Sequence, residues 1–308
     1  MRTRIEKIGT KTLTLKIRGG LGNQLFQFLA LEKLASQAHR KLKVDIAWYK
    51  HEANLNSELS ERRFELEGFS DQAQIVESDL KALQRNTWIE RLSKRIPILG
   101  DLIFGYVYEP REFKEIRLKS RKNLNIYGYW LDGRSFPSPS NEVKSRVSKF
   151  IASKVAINMG HEIFDRVIQN DSIVLHIRGK DYLKFQESFI GLQLPYYSNS
   201  INRIEEFRGN NLSEIYVLTD DLQHAKNVLS GLTRPIHIIN EFVELDHFEV
   251  LLLMSKSKNL ICSNSTFAWW GAFLNSAPDA KIIFPRAYMT NSDAENTFHR
   301  IDNWDYLD

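Results

Sequence analysis

Short apolar runs separated by stretches of helical period mark this chain, and the pattern becomes regular only in its second half. In the first half, residues 12–17 alternate as a strand and run into a glycine-rich turn. A helix then extends to about residue 37, with Leu25, Phe28, Leu29 and Leu34 on one side. A second strand is predicted over 42–46. A helix over 78–96 follows, with Leu80, Leu83, Ile89, Leu92 and Ile96 inward and Lys81, Arg85, Arg91, Lys94 and Arg95 outward. An aromatic strand covers 125–131. Residues 134–141, with Pro137 and Pro139 among serines, read as a linker and put a domain boundary near Ser140. A helix over about 142–169 leads into an alternation: strands at 172–175, 214–218, 235–239, 258–262 and 281–284, helices at about 196–207, 221–229, 246–256 and 265–275. That alternation predicts a parallel, doubly wound sheet of the α/β class. No internal repeat is visible.

Polar residues gather just after these predicted strands. The strand at 172–175 delivers His176, Arg178, Lys180, Asp181 and Tyr182 within seven residues. The next ends bring Thr219-Asp220-Asp221, then Asn240-Glu241, then Ser263-Asn264-Ser265-Thr266. Ligands of open α/β sheets bind beyond the carboxyl ends of strands, so this edge reads as a nucleotide crevice for an anionic, hydrogen-bonding ligand. The turn Arg18-Gly19-Gly20-Leu21-Gly22-Asn23-Gln24 has the strand–glycine–helix layout that lets backbone approach a phosphate or dinucleotide. Leu25 stands where the dinucleotide fingerprint needs a third glycine, and no P-loop lysine follows. The Asn23 and Gln24 amides suit sugar hydroxyls, unless Asn23 simply caps its helix. Tyr129 and Trp130 suit a sugar face or a core.

Composition narrows the classes. With 308 residues the chain has room for two cores, and a net charge of +4 is too small to imply nucleic acid. Cys262 is the only cysteine, which excludes an intramolecular disulfide and favours a reducing compartment. The first residues lack the apolar core of a signal peptide, and no run approaches the ~20 apolar residues of a spanning helix. The expected location is cytoplasmic, with peripheral contact at the inner face of the membrane open through the basic helix at 78–96.

Four motifs in order, Gly19 to Gln27 (GGLGNQLFQ), Gly128-Tyr129-Trp130, His176-Ile177-Arg178 with Asp181-Tyr182, and Ser263 to Gly271 (SNSTFAWWG), resemble glycosyltransferase family 11, the α-1,2-fucosyltransferases of bacterial type. They span residues 19–271. The family's arginine motif reads His-x-Arg-Arg-Gly-Asp-Tyr, whereas Gly179 and Lys180 follow Arg178 here, so the carry-over is to Arg178. Leu131-Asp132 also stands where the family often has Gln-Ser. The resemblance implies two facing Rossmann-like domains of GT-B-like form. Residues 1–140 would lie on the acceptor side with Gly20, Gly22, Asn23, Gln24, Tyr129 and Trp130, and residues 141–308 would bind GDP-fucose.

It further implies inverting, metal-independent transfer of L-fucose to a galactose 2-hydroxyl of a glycan, free or lipid-linked, with no cofactor besides the donor substrate. The sequence itself holds no Asp-x-Asp pair for a divalent ion on a diphosphate. His176, Arg178, Asp220, Asp221, Ser265, Thr266 and Phe267 are the donor-side residues. Arg178 and amides at the start of the Thr266 helix would stabilise the leaving diphosphate, Asp220 or Asp221 would accept from guanine, and Asn23 would orient sugar or acceptor. Arg178, Asn23 and Asp181 are the catalytic candidates. Asp132, Asp181 and Glu241 are candidate general bases. A fucosyltransferase of other linkage, an NAD(P)-dependent oxidoreductase built on the glycine turn and a non-catalytic nucleotide-binding protein are the competing readings.

Overall fold

In the computed structural model, residues 11–51, 62–78, 87–96, 99–109, 118, 123–131, 141–155, 162–169, 172–179, 191–209, 214–286 and 300–308 are described. Lys180, Asp181, Tyr182, Asp132, the linker at 134–140 and the predicted helix segment 79–86 lie outside them. The chain divides into two units, Met1–Pro139 and Ser140–Asp308.

The amino-terminal unit is built on a parallel sheet of five described strands: β1 (Thr12–Lys16), β2 (Lys41–Asp45), β3 (Ala73–Val76), β4 (Tyr106–Tyr108) and β5 (Leu124–Tyr127). Their order is β3-β2-β1-β5-β4. β1 pairs with β2 from Thr12 opposite Lys41 and with β5 from Leu13 opposite Leu124. Helices α1 (Leu21–Gln37), α2 (Ala47–His51) and α3 (Thr87–Arg95), with a π-helical turn at Gly100–Phe104, complete what is described of it. α1 is not one-sided as its period suggests: Phe26 and Leu31 are buried along with Leu25, Phe28 and Leu29.

The carboxyl-terminal unit opens with α4 (Asn141–Lys154) and α5 (Glu162–Gln169), then alternates β6 (Ile173–Ile177), α6 (Leu194–Arg208), β7 (Ile215–Thr219), α7 (Leu222–Leu229), β8 (Ile236–Ile238), α8 (His247–Lys256), β9 (Asn259–Ile261), α9 (Thr266–Phe273), β10 (Lys281–Pro285) and β11 (Asp305–Leu307). The described strands pair in parallel in the order β11-β10-β9-β6-β7-β8. Each unit is thus a doubly wound, Rossmann-like α/β sheet. All five residues of the central strand β6 are buried, as expected of a parallel sheet covered on both faces.

Three boundaries differ from the sequence expectation. β6 runs through Ile177, so His176 lies inside the strand rather than beyond it. The aromatic strand stops at Tyr127, because Gly128 (φ 133°) and Trp130 (φ 55°) take left-handed backbone that no strand accommodates. The long helix at 142–169 is two helices. The first ends at Lys154, where the Ser153 hydroxyl donates back to the Phe150 carbonyl at 2.7 Å, one of the side-chain bonds that compete with helical pairing.

Candidate active site

In both sheets the chain winds outward on one side of a central strand and then returns to its other side. That reversal falls between β1 and β5 in the first unit and between β6 and β9 in the second. Crevices for ligands open at the carboxyl ends of the strands that flank such a switch point. Arg18-Gly19-Gly20 follow β1 and Gly128-Tyr129-Trp130 follow β5. Arg178 follows β6 and Ser263 to Thr266 follow β9.

Arg178 is the half-buried cation that follows the second switch point's first strand. Its Nη1 lies 2.8 Å from Asp220 Oδ2, while Asp220 Oδ1 accepts from the Gly179 amide at 2.7 Å. One carboxylate therefore ties the loop after β6 to the loop after β7 and aims the guanidinium. Asp221 does something else: it caps α7, accepting from the His224 amide at 3.0 Å. A methyl on residue 179 would come within 2.5 Å of Asp221 Cβ and 3.1 Å of His224 Cβ. The departure from the family's Arg-Arg pair is thus coherent with its surroundings, since α7 begins where a side chain at 179 would go.

His176 is buried, with Nδ1 2.8 Å from Ser263 Oγ and its ring stacked on Phe267 at 5.7 Å. Burial, and then the nearby Arg178 charge, pull its pKa from 6.5 down to about 3, so the imidazole is neutral. It joins β6 to the turn after β9. That turn corrects the expectation of bare amides at Ser265-Thr266-Phe267. Ser265 Oγ itself accepts from the Phe267 and Ala268 amides at 3.1 and 3.4 Å, capping α9. Trp269 and Trp270 of the same motif are core: both are fully buried, and Trp269 stacks on Phe273 at 5.0 Å. Glu241, a candidate base, sits after the edge strand β8, two strands from the switch point, and pairs with Lys226 at 2.5 Å.

At the first switch point the glycine loop is held by neutral amides. Gln27, fully buried, donates to the Arg18 and Asn23 carbonyls at 2.7 and 2.9 Å and accepts from the Arg18 amide at 3.2 Å. Gln24 donates to the Gly19 and Arg63 carbonyls at 3.0 and 2.8 Å and accepts from the Glu65 amide at 2.9 Å. Gln24 is therefore a clasp and not a sugar ligand, because both its N–H groups are spent inside the fold. Gly19 needs its φ of 84° and its bare Cα: a methyl there would meet Asn23 Nδ2 at 2.6 Å. Gly20, not Asn23, is the N-cap of α1; Asn23 lies within the first turn, as does buried Gly22.

Across the switch point, Tyr129 lies under the Arg18 guanidinium, 4.5 Å from ring centre to Cζ. Trp130 is buried and serves the core, so only Tyr129 of the aromatic pair is available to a sugar. Sequence reading missed the residue that shapes this turn. Glu109, after β4, accepts from the Tyr129 amide at 2.7 Å and the Leu131 amide at 3.2 Å, and a methyl on Gly128 would lie 2.3 Å from its Cβ. Burial raises the Glu109 pKa, against the pull of the Trp130, Tyr129 and Leu131 amides and of Arg18. The one signal in the sequence was a lone acid beside a tyrosine-rich strand, which no spacing rule connects to residues 128–131.

Comparison with known proteins gives one family match: the model for glycosyl transferase family 11 matches residues 12–308. The chain is 26% identical over 307 residues to the O-antigen biosynthesis glycosyltransferase WbnK of Escherichia coli, covering 94% of this chain and 98% of that protein. It is 27% identical over 267 residues to an alpha-1,2-colitosyltransferase of Escherichia coli, covering 85% and 87%. Among solved structures, NodZ alpha-1,6-fucosyltransferase soaked with GDP-fucose superposes with a TM-score of 0.48 at 13% identity, over 86% of this chain and 92% of that one.

Proposed function

This chain belongs to glycosyltransferase family 11, and we propose that it transfers L-fucose from GDP-fucose, with inversion and without a metal ion, to the 2-hydroxyl of a galactose in a glycan. The observation that carries the proposal is Arg178, held by Asp220 beside the Gly179 amide at the switch point of the second sheet. As the glycosidic bond breaks, negative charge grows on the diphosphate and positive charge on the sugar. A guanidinium that is already oriented stabilises the diphosphate with little reorganisation at the moment of reaction. Thr266, at the first position of α9, is the partner we assign to the same phosphates.

Since Asp221 is used as a helix cap, Asp220 is the carboxylate left to read guanine. Its buried Oδ2 faces Arg178 and its Oδ1 accepts from the Gly179 amide, so a guanine N–H would share Oδ1 with that amide. His176, neutral and buried, positions the Ser263–Phe267 turn instead of touching ribose. In the first unit, Gly20, Gly22, Asn23 and Tyr129 are the residues we assign to acceptor and sugar, with Gln24, Gln27 and Glu109 holding them. Asp181 keeps its place as a candidate base.

A thermal-shift series with GDP, GDP-fucose, UDP and NAD tests the donor. Stabilisation by the two guanine compounds alone is the expected result, and stabilisation by NAD or UDP instead would overturn it. Transfer in excess EDTA should equal transfer in magnesium, and a loss above about tenfold, 1.4 kcal/mol of barrier, would sink the metal-free mechanism. The relative that transfers colitose favours a second reading, in which the donor sugar is a 3-deoxy analogue of fucose. Parallel assays with GDP-fucose and GDP-colitose separate the two.

A further inference from the structure

The transfer reading leaves one conspicuous surface of the amino-terminal unit without a task. Helix α3 is seated by Ser93, which is buried against Gly100 of the π-helical turn, where a methyl would come within 2.8 Å of Ser93 Cβ. Seating Ser93 inward puts Trp88, Arg91 and Arg95 on the opposite face, with Leu92 at its margin, and Ile96 follows the last helical residue. Trp88 is 63% exposed and Ile96 40% exposed, with the Ile96 amide still bonded to the Leu92 carbonyl at 2.8 Å. The sequence pattern had placed Ile96 and Leu92 inward. Instead Ile96 faces solvent and Leu92 is only half-buried.

Exposed Arg91 and Arg95 border this stripe, and the sequence of α3 carries three basic residues, Arg91, Lys94 and Arg95, against the single acid Glu90, with Asp101 in the turn beside it. The turn packed on α3 adds Leu102 and Ile103, exposed by 41% and 55%. A helix on an ordinary protein surface shows water its polar face. A tryptophan and aliphatic residues outward, with arginines alongside, is the composition of a helix lying in a lipid headgroup layer, where tryptophan is favoured and arginine meets lipid phosphate.

We propose that this face, α3 together with Leu102 and Ile103, docks on an anionic phospholipid surface. Among the described residues no helix is long and apolar enough to cross a membrane, so the attachment is peripheral. The charge pattern selects the occupant, because an arginine-bordered apolar stripe complements anionic headgroups and gains nothing from a zwitterionic layer beyond its small apolar area. The proposal does not depend on which sugar is transferred. It rests on the transfer reading only in suggesting that a lipid-linked acceptor is met at that surface.

The test is co-sedimentation of the full chain with vesicles of phosphatidylcholine alone or mixed with phosphatidylglycerol. Binding to the anionic vesicles should be at least about tenfold tighter and should weaken with salt. Arg91→Glu/Arg95→Glu should reduce it by about twenty-five-fold or more, roughly fivefold per lost arginine. Trp88→Ser should weaken binding to both vesicle types, and all of these variants should keep transfer to a soluble acceptor. Equal binding to the two vesicle types, or unchanged binding by the arginine variant, would overturn the proposal. So would a dimer in solution that Trp88→Ser dissociates, since the face would then belong to a second copy. Failure of the GDP thermal shift would strike the transfer reading and leave the vesicle result standing.

Discussion

The two switch points of this molecule share a reversal of winding beside a central strand and differ in how they are held. At the first, two glutamines and a glutamate bind backbone: Gln24 and Gln27 hold the glycine loop and Glu109 the Tyr129–Leu131 turn. At the second, the key contacts join side chains to one another, Arg178 to Asp220 and His176 to Ser263. Side chains spent on backbone define a shape and leave little charge to offer. Side chains paired with each other keep a cation at the strand end, where Arg178 sits half-buried against Asp220. The first arrangement suits neutral sugars and the second suits a diphosphate.

The sharpest way to break this contrast is at Arg178. Arg178→Ala should lower transfer by on the order of 10²–10³-fold, the loss typical when one donor to a developing anion is removed. The fold should survive, because β6 is anchored by its buried apolar residues and not by the guanidinium. Arg178→Lys should recover little, as lysine cannot span Asp220 and a phosphate with a fixed fork. Steady-state rates on protein shown to be folded by circular dichroism decide it, and near-normal turnover of the alanine variant would move the charge to another residue.

Asn23 tests the opposite side. Asn23→Ala should depress kcat by about tenfold while GDP affinity moves by less than about threefold, the signature of a contact made in the transition state and not in uniform binding. With Gly20 as the N-cap of α1, the variant loses no capping bond, so the thermal midpoint should hardly move. Calorimetric GDP binding alongside kinetics makes the check. A large loss of GDP affinity would put the nucleotide on the first switch point.

How much of this was legible beforehand depended on where a residue's partner lies in the sequence. Arg178 and the alternation that builds the second sheet could be read because strand, loop and cation are contiguous. The glycine turn was equally visible. What could not be read were assignments set by distant neighbours. Gln24 looks like a free amide until Arg63 and Glu65 come within reach, Asp221 looks like Asp220 until α7 begins at it, and Glu109 meets its turn twenty residues on. The serine-threonine turn misled for a different reason: Ser265 satisfies the very amides it exposes.

The contrast should also appear in pH dependence, with opposite signs. His176 has a folded pKa of about 3 against an ordinary 6.5, so across that window the unfolded chain binds the proton and the native one does not. Stability from this group is therefore lost as pH falls below 6.5, with a slope of up to ~1.4 kcal/mol per pH unit. Urea unfolding of wild type and His176→Asn across the window gives the two slopes. The variant's should be shallower, and equal slopes would mean that the buried imidazole is protonated in the native state.

Glu109 should act in reverse and more weakly. Burial raises its folded pKa above the ordinary 4.5, so between those values it is the native state that holds more protons. Its contribution is complete below 4.5 and is lost as pH rises through the folded value, the mirror image of His176. Glu109→Gln removes that titration and also changes the turn. A carboxylate offers two acceptor oxygens to the Tyr129 and Leu131 amides, whereas the glutamine side chain offers one oxygen and turns an NH₂ toward the other donor. The turn sits close on this side chain, since a methyl added to Gly128 would lie 2.3 Å from Glu109 Cβ. One amide then goes unsatisfied at a cost of about 1–3 kcal/mol, less if the turn meets water. The variant should therefore unfold more easily at neutral pH, lose the native stability drop above 4.5, and raise the acceptor KM by about threefold with GDP affinity unchanged. Acceptor kinetics that match wild type while the stability falls would leave Glu109 a structural residue and confine the sugar contacts to the glycine loop.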